Sequence, residues 1–432
     1  MSYEEKYGSG RRRSGPSVAV TLGGLLGIAL AAVVGAEPVV TLTLAQAIAL
    51  AERKNPSLQA QAQAVESGRA GEVAAGLRPN PTFQNDTTSA TAGISQEFEI
   101  GGKRRARLES ARLATSISRT DLADARRSLI LEVRQAFVDA LLARSDAALA
   151  RENLSTFQRV IDLSRLRLEK GALSGGDFLK IEMQKLQLET DLQDADLALA
   201  TSKATLRRLL GASSLPEDFE IEGNLEPGPD PEPLPELQRR ALANRPDFRS
   251  AEIGIDKADA DVRLAKANAY PDPTIGAELL HTGNEVGGPS WFQPFYPKGA
   301  GSWGMGLGVS FPIPLFNRNQ GEIARAGSER RRAELLARAA RDRVLEEVES
   351  AAATYRSGLE RVRLYRQEYL SRAKESRDIA DFAFEKGATS LLDFLDAERT
   401  YRATELAFRR ELAGSAAALA RLEAAVGGPA TP

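Results

Sequence analysis

The chain contains no cysteine, a single histidine (His281) and three methionines. Without cysteine, neither a disulfide framework nor a lipidated N-terminal cysteine can form. Thiolates, imidazoles and thioethers are the preferred ligands of zinc and copper, so their scarcity argues against a tightly held soft metal. We therefore predict no metal site, no cofactor and no catalytic residue. His281 falls in a glycine-rich segment, which we interpret as a solvated loop.

The chain also lacks an excess of either charge and is poor in aromatic residues. Its net charge is −2 over 432 residues, and aromatic residues make up only 6% of it. A nucleic-acid-binding protein would carry a basic stripe, which this mixture of interspersed charges does not provide. Ala, Leu, Glu and Arg predominate instead, and this composition favours long helices.

The N-terminus has the order of features typical of a secretory signal. Three arginines at 11–13 precede an apolar run from about Val18, which ends in the small-residue pattern Val34-Gly35-Ala36. We predict a signal peptide at residues 1–36, cleaved after Ala36. A retained membrane anchor is the alternative, because the run approaches the length of a membrane-spanning helix. No later apolar run is long enough for such a helix.

The remaining chain contains the same sequence plan twice. The stretch "EKGALSGGDFLKIE" at 169–182 returns as "EKGATSLLDFLDAE" at 385–398, and "RPNPTF" at 78–83 returns as "YPDPTI" at 270–275. Such repetition predicts a tandem internal duplication. Its parts are a first repeat at 37–211, a Pro- and acid-rich connector at 212–235, a second repeat at 236–427 and a tail at 428–432.

Each repeat is predicted to contain a helix, a β-hairpin, a very long helix, a glycine turn and a further helix. In the second repeat, a proline-free stretch runs from about Gly321 to Lys386 with apolar residues at spacings of three and four. This pattern is typical of coiled-coil packing. At about 1.5 Å per residue, the helix would be on the order of 100 Å long.

The predicted hairpins lie at about 81–100 and 271–313. In the second, Trp303, Met305, Leu307, Val309 and Phe311 alternate with glycine or serine, so one face is apolar and the other nearly bare. A soluble sandwich could bury the apolar face. A lipid-facing strand explains it better, because the preceding strand has the same alternation and the loop between them carries four aromatic residues: Trp291, Phe292, Phe295 and Tyr296.

The first hairpin has a weaker pattern, in which only Ile94, Phe98 and Ile100 keep the alternation. Two hairpins provide four strands per chain, too few to close a barrel. An open sheet edge in lipid would leave backbone groups unpaired, so closure requires several chains. Three copies would supply twelve strands.

These residues resemble the TolC-like outer membrane efflux proteins, most closely the heavy-metal efflux components such as CzcC and CusC. The resemblance rests on "TLTLAQAIALAERKNPSLQAQ", "ISQEFEIGGKRRARL", "GVSFPIPLFNRNQGEIARA" and both glycine turns. It implies a mixed α and β membrane protein: a homotrimer with a twelve-stranded transmembrane barrel in outer membrane lipid, continued by a long α-helical barrel across the periplasm. It also implies docking onto a periplasmic adaptor protein and an inner-membrane pump, with RND as the expected pump type.

The resemblance further implies that the glycine turns form the periplasmic end of the tunnel. Asp393 and Asp396 match the aspartates that constrict it, and adjacent positions on one helix face would bring three such pairs around one axis. We expect adaptor contacts at the turns, namely at Gly171, Ser174, Asp177, Gly387 and Ser390. The competing interpretation is structural: Ser390 with Asp393, and Ser174 with Asp177, have the spacing of a helix capping box.

Asp396 has no such structural role and is replaced by Lys180 in the first repeat, which favours a pore role for it. Two polar positions that latch the tunnel entrance in TolC correspond here to Phe384 and Thr389, so that latch is not expected. The function predicted is a passive exit duct for heavy-metal cations. The alternatives are drug or protein export and, more remotely, a soluble coiled-coil scaffold.

Overall fold

The computed structural model describes residues 40–86, 91–216, 219–282 and 302–428. The predicted signal peptide at 1–36, the aromatic loop with Trp291, Phe292, Phe295 and Tyr296, and the tail beyond Gly428 lie outside these residues. Within the described ranges, no helix combines the length and the apolar character needed to cross a bilayer.

The elements follow one another in the same order in both halves of the chain. The first half contains β1 (Val40–Leu42), α1 (Leu44–Lys54), α2 (Pro56–Gly76), β2 (Thr82–Asp86), β3 (Thr91–Glu97), α3 (Lys103–Glu169) and α4 (Gly175–Leu209). The second contains β4 (Phe219–Ile221), α5 (Leu234–Asn244), α6 (Pro246–Ala267), β5 (Thr274–Thr282), β6 (Ser302–Ser310), α7 (Gln320–Leu364), α8 (Leu370–Glu385) and α9 (Leu391–Val426).

Short polar residues determine where the first two helices begin. The Thr43 hydroxyl accepts a hydrogen bond from the Gln46 N–H, and the Gln46 side chain accepts one from the Thr43 N–H, which makes a complete capping box. The Asn55 side chain accepts from the N–H groups of Ser57 and Leu58 at 2.9 and 3.1 Å. Asn55 therefore ends α1 and starts α2.

The long helices reach far beyond the size of an ordinary domain. Helix α3 has 67 residues, which at 1.5 Å per residue gives about 100 Å. Its counterpart in the second half is also continuous, because a π-helical turn at Tyr365–Tyr369 joins α7 to α8. The whole stretch runs from Gln320 to Glu385, close to the predicted range.

The π-helical turn accommodates one extra residue in the second half. The glycine turns at Gly171 and Gly387 are 216 positions apart. The buried positions upstream of the π turn are instead 215 apart, as the following pairs show: Leu129 and Val344, Val133 and Val348, Phe137 and Ala352, Ala140 and Tyr355. A π turn is the usual way for a helix to absorb a one-residue insertion without losing its buried face.

Each half has its own apolar core near the middle of the long helices. The first core packs α1, α3 and the end of α4 around Phe137. It also includes Phe219 and Ile221 from β4, a strand inside the connector that the sequence analysis did not predict and that pairs in parallel with β1. The second core packs α5, α7 and α9 around Tyr355, whose hydroxyl donates to the Pro229 carbonyl at 2.7 Å.

A four-stranded antiparallel sheet joins the two halves at one end of the helices. Its strand order is β2-β3-β5-β6, so β3 and β5 form the junction and β2 and β6 are the edges. The register places Phe83, Ile94, Ala277 and Leu307 in one row across the four strands. Because facing residues in an antiparallel pair share a face, this row lies on one side of the sheet.

The helices are arranged as a layer that continues the sheet. Nearest the sheet, α2 packs on α3, α3 on α6, and α6 on α7. Towards the glycine turns, α4 packs on α3, α3 on α9, and α9 on α8. The first-half elements β2, α2 and α4 therefore occupy one lateral edge, and the second-half elements β6, α7 and α8 occupy the other.

Candidate functional site

The end of the helical layer opposite the sheet consists of the two glycine turns, residues 167–181 and 384–398, which we call the tip. Both turns have the same backbone geometry. Gly171 and Gly387 have φ of 72° and 73°, a left-handed conformation that only glycine adopts without strain. The N–H of Ala172 bonds the Arg167 carbonyl and that of Ala388 bonds the Ala383 carbonyl, both at 2.8 Å, as in a Schellman motif.

A serine then starts each of the following helices. The Ser174 hydroxyl accepts from the Asp177 N–H at 3.1 Å and donates to the Asp177 carboxylate at 2.8 Å. Ser390 does the same with Asp393, at 3.2 and 2.7 Å. The serine half of the capping box that the sequence suggested is therefore present at both turns, and each aspartate carboxylate accepts from the serine hydroxyl.

The two turns differ in what surrounds these aspartates. Lys180 lies 2.8 Å from Asp177 and forms an ion pair with it. At the position corresponding to Lys180 the second turn carries Asp396, which is exposed and, within the described part of the chain, has no hydrogen-bond or ion-pair partner. The first turn is therefore locally neutralised, whereas the second presents Asp393 and Asp396 together.

Hydrogen bonds lower the pKa of both capping aspartates. For Asp177 the main cause is the Lys180 ammonium, followed by the Ser174 hydroxyl. For Asp393 it is the Ser390 hydroxyl, with a smaller contribution from Thr389, whose hydroxyl lies 3.3 Å away. Both carboxyl groups are consequently charged at neutral pH.

Arg167 links the two turns and was missed by the sequence analysis. Its guanidinium donates to the carbonyls of Phe384 and Glu385 at 3.1 and 3.0 Å, and it lies 4.9 Å from the centre of the Phe384 ring. These carbonyls are among those left unpaired at the end of α8. The corresponding second-half residue is Ala383, and this difference between otherwise similar turns is the feature of the sequence that could have indicated it.

Apolar contacts reinforce the link between the turns. The Phe384 and Phe394 rings stack at 4.7 Å, and Phe394 is only 1% exposed. Leu391 and Leu395 at the start of α9 pack against a small apolar cluster from the first half: Phe157, Ile161, Ile181 and Leu188. The two turns of one chain are therefore packed together rather than independent.

Two partly buried acids lie at the two ends of the second turn, Asp381 just before it and Glu398 at its end. Burial raises the pKa of Glu398 and of Asp381, and Arg377 partly offsets this in both cases. Arg377 forms an ion pair with Asp378 at 2.7 Å and lies over the Tyr401 ring at 4.4 Å. Arg377 is therefore a basic group shared by both acids.

At the opposite end of the layer, the sheet has one exposed apolar face. Trp303 and Met305 are 69% and 61% exposed, and Leu307 and Val309 are exposed to a similar degree. Phe311 is also exposed but follows the strand, which ends at Ser310. Likewise, β3 ends at Glu97, so Ile94 alone of the three predicted first-hairpin residues lies within a strand.

The other face of the sheet carries small and polar residues. Glu278 faces Gly93 on one neighbouring strand and Gly306 on the other. A side chain at either glycine would come within about 3.1 Å of Glu278. Gly93 and Gly306 therefore leave room for this carboxylate, whereas a side chain at Gly308 would meet open space.

The structure corrects the interpretation of His281 as a loop residue. His281 belongs to β5, where it faces Trp303 with the ring centres 4.8 Å apart. The glycine-rich sequence that follows it suggested a loop, but strand pairing with β6 extends to Thr282. Among the described residues, no group of three or more His, Asp or Glu side chains is arranged to hold a metal ion.

Comparisons with known proteins agree with the resemblance predicted from the sequence. The cobalt-zinc-cadmium resistance protein CzcC of Cupriavidus metallidurans is 28% identical over 371 residues, covering 83% of this chain and 84% of that protein. The pyoverdine export outer membrane protein OpmQ of Pseudomonas aeruginosa is 28% identical over 357 residues, covering 80% and 70%. A crystal structure of CusC superposes with a TM-score of 0.71 at 19% identity, covering 89% of this chain and 92% of CusC.

A family model described as outer membrane efflux protein matches residues 47–212 and 237–428. These two segments include α2 to α4, α6 to α9, most of α5 and all four strands of the sheet. The chain therefore belongs to the outer membrane efflux protein family.

Proposed function

We propose that this chain forms the outer membrane channel of a tripartite efflux system and passively conducts substrate that an inner-membrane pump has expelled. The observation that carries the proposal is the sheet. It has an exposed apolar face, a small and polar opposite face, and two edge strands, β2 and β6, that pair with no further strand in the described chain. In lipid such edges must be paired, so several copies have to share one closed wall.

A trimer is the assembly that we propose. Three copies would give a twelve-stranded barrel in the outer membrane, with the layer of long helices continuing it as an α-barrel through the periplasm. The tandem duplication belongs to this proposal, and the shared order of elements in residues 37–211 and 236–427 supports it. Mass measurement of the detergent-solubilised protein tests the assembly, since a monomer would contradict it.

The tip would be the periplasmic entrance, because it lies at the end of the helical layer farthest from the sheet. The turns at Gly171, Ser174 and Asp177 and at Gly387 and Ser390 would there contact a periplasmic adaptor protein, and through it a pump of the RND type. Nothing in the duct requires catalysis. Its contribution is a wall, an entrance and the charges that line them.

Heavy-metal cations are the cargo that we favour. The support is the similarity to CzcC, whose name states cobalt, zinc and cadmium resistance. The similarity to OpmQ, named for pyoverdine export, has the same percentage identity and keeps organic cargo as the second candidate. Deleting the gene and measuring tolerance of cobalt, zinc, cadmium, copper and common antibiotics separates them. Unchanged metal tolerance with increased drug sensitivity would contradict the metal assignment.

We also propose that Asp393 and Asp396 form a cation-attracting ring at the entrance. Three chains would bring six carboxylates around one axis, and Asp396 has no neutralising partner as Lys180 provides for Asp177. Replacing Asp396→Lys should lower the cation-to-anion permeability ratio of single channels in planar bilayers. Glu329→Lys, on exposed α7 far from the tip, is the matched control. Equal ratios for wild type and Asp396→Lys would exclude the ring.

A further inference from the structure

A groove of about 690 Å³ lies beside β3 and the start of α3, at the end of the helical layer nearest the sheet. We call it the basic groove, because three arginines line it: Arg78, Arg104 and Arg105. All three side chains are exposed, and within the described part of the chain none of their guanidinium groups has a hydrogen bond or an ion pair. The neighbouring Lys103, by contrast, pairs with Asp272 at 2.5 Å. The groove therefore collects positive charge that the fold leaves unpaired.

Two carboxylates also line the basic groove, but they do not neutralise it. Glu99 is bound by Arg107, whose guanidinium also donates to the carbonyls of Ala75 and Leu77 at 2.9 and 3.0 Å. Glu97 is exposed and, among the described residues, its carboxylate has no partner. The groove thus contains three unpaired guanidinium groups and one unpaired carboxylate, which leaves it positively charged.

The basic groove continues the exposed apolar face of the sheet. Ile94 of β3 belongs to the apolar row, and Gln96 lies two residues later on the same face. Gln96 lines the groove together with Phe98, which follows the strand and is 46% exposed. The Gln96 side chain donates to the Pro79 carbonyl at 2.9 Å, which holds the segment that carries Arg78 against β3. A molecule that covers the apolar face can therefore also reach the arginines.

The groove lies at the level where lipid headgroups are expected. The sheet ends on the helix side at the row formed by Glu97, Thr274 and Ser310. Arg104 and Arg105 belong to the first turn of α3, just beyond that row. The headgroup layer is about 5–7 Å thick on each side of a bilayer's hydrocarbon core, and one helical turn is about 5.4 Å long. With the apolar face in hydrocarbon, the first turn of α3 would lie among headgroups.

The second half does not repeat the arginine cluster. In the motif that occurs at 78–83 and again at 270–275, Tyr270 takes the place of Arg78. Helix α7 begins with three residues of which none is basic: Gln320, Gly321 and Glu322. The same connection from strand to long helix therefore forms without these arginines. The fold does not require them, which favours a binding role.

We propose that the basic groove binds the phosphate group of an anionic phospholipid in the periplasmic leaflet. Guanidinium groups bind phosphate oxygens through charge-assisted and often bidentate hydrogen bonds. Phe98 would lie beside the first carbons of the acyl chains, at the level where aromatic side chains are enriched in membrane proteins. Such a contact would set the depth of the sheet in the membrane. The inference rests on the proposed channel, because it requires the apolar face to lie in lipid.

Native mass spectrometry of the detergent-purified protein tests the proposal with two lipids of identical acyl chains, dioleoyl phosphatidylglycerol and dioleoyl phosphatidylcholine. Wild-type protein should bind the phosphatidylglycerol more tightly, because the choline group cancels the phosphate charge of the other lipid. Each arginine near a lipid surface contributes about fivefold in affinity. Arg104→Gln with Arg105→Gln should therefore weaken phosphatidylglycerol binding about 25-fold, and Arg78→Gln about fivefold. Binding of phosphatidylcholine should change little.

Arg112→Gln with Arg119→Gln is the matched control, because it removes the same charge from the same helix. Both arginines are exposed and have no side-chain partner in the described chain. They lie about 10 and 21 Å farther along α3 than Arg105, beyond the reach of the headgroups, so the wild-type preference should remain. Arg104→Lys with Arg105→Lys should retain part of the preference, since lysine keeps the charge but not the planar fork.

Three results would overturn the proposed lipid site. They are a wild-type protein without preference for phosphatidylglycerol, an unchanged preference in Arg104→Gln with Arg105→Gln, and an equal loss in that variant and in the matched control.

Conductance in planar bilayers of phosphatidylcholine distinguishes this failure from failure of the channel itself. Wild-type protein that forms pores but shows no lipid preference would contradict only the lipid site. Wild-type protein that forms no pores and runs as a monomer in detergent would contradict the proposed function. A variant with Arg104→Gln and Arg105→Gln that conducts like the wild type but has lost the preference would support both.

Discussion

The first and second glycine turns have the same backbone geometry but differ in the residues that surround them. Each has a left-handed glycine, a Schellman motif and a serine cap with an aspartate three residues later. The first turn adds Lys180 and stays largely exposed. The second replaces that lysine with Asp396 and packs Phe394 and Phe384 under Arg167. The same local structure therefore occurs in two different surroundings. The first turn is largely exposed to solvent, whereas the second is acidic and anchored by packing.

This difference shows that the local sequence specifies the shape of a turn but not whether the turn is anchored. Glycine, serine and aspartate at fixed spacing specify the shape of a turn wherever they occur. Whether the turn is anchored depends on residues that reach it from another part of the chain, here Arg167. The predictions below test this division, beginning with the change expected to have the largest effect.

Phe394→Ala should weaken the second turn most. Phe394 is almost fully buried and stacks on Phe384, and removing a buried phenylalanine costs about 3–5 kcal/mol. The matched change in the first turn is Phe178→Ala, which should cost clearly less because Phe178 is only half-buried. Hydrogen exchange of peptides covering each turn measures the local opening free energy. Similar losses in both turns would show that the second is not anchored as described.

Arg167→Ala should have the next largest effect, and it should appear in the second turn rather than in the first. The substitution removes two charge-assisted hydrogen bonds to the end of α8, worth about 1–3 kcal/mol in a partly buried site. Faster exchange at residues 384–388, with little change at residues 171–175, is the expected result. Arg165→Ala, an exposed arginine on the same helix, is the control.

If exchange increased equally in both turns, Arg167 would act on the stability of α3 and not as a link. Arg167→Lys sharpens the test, because lysine keeps the charge but lacks the planar fork that serves two carbonyls at once. We expect it to restore only part of the protection. Full restoration would mean that charge alone maintains the contact.

Much of the fold could be predicted because the sequence repeats its own local rules. The alternation of Trp303 to Val309 with glycine indicates a strand, and the structure has β6 there. The heptad spacing before Lys386 indicates a long helix, which runs to Glu385. The family resemblance is confirmed by the family model. These features depend on neighbouring residues, which a single sequence displays directly.

The features that could not be predicted depend on contacts between distant segments. Strand β4 has only three residues, and it is held by pairing with β1 and by burying Phe219 in the first core. His281 looked like a loop residue because its strand partner, Trp303, lies beyond a long intervening segment. The difference between Arg167 and Ala383 marks the position, but its targets are backbone carbonyls 217 and 218 positions away, and no residue type identifies them in the sequence.

Removing the serine cap should destabilise the two turns by the same amount. The two serine variants therefore provide an internal standard for the comparison. Ser174→Ala and Ser390→Ala each remove a hydroxyl that accepts the N–H of the aspartate three residues later. Loss of such a cap costs about 1 kcal/mol. Hydrogen exchange in the first turn of α4 and of α9 measures both. A much larger loss for Ser390→Ala would mean that its hydroxyl also supports the anchored packing.

Acid should loosen both turns slightly, because the carboxylate of each capped turn is held in its charged form by hydrogen bonds. The pKa values of Asp177 and Asp393 are lowered in the fold, so the stabilisation is present above the ordinary aspartate pKa of about 3.9 and is lost as the pH falls through the lowered values. Lys180→Gln removes the largest cause of the lowering at Asp177. The acid-induced increase in exchange at the first turn should then shift to higher pH, while the second turn is unaffected.

Lys185→Gln is the control for that shift, since Lys185 pairs with Glu189 on the same helix at 3.0 Å and not with Asp177. An unchanged pH profile in Lys180→Gln would mean that the exposed ion pair does not hold in solution, which is common for surface pairs. The two turns would then differ only through Asp396 and the anchoring by Arg167. The charge difference proposed for the entrance would remain, because it depends on the sign of residues 180 and 396 and not on whether that one lysine is bound.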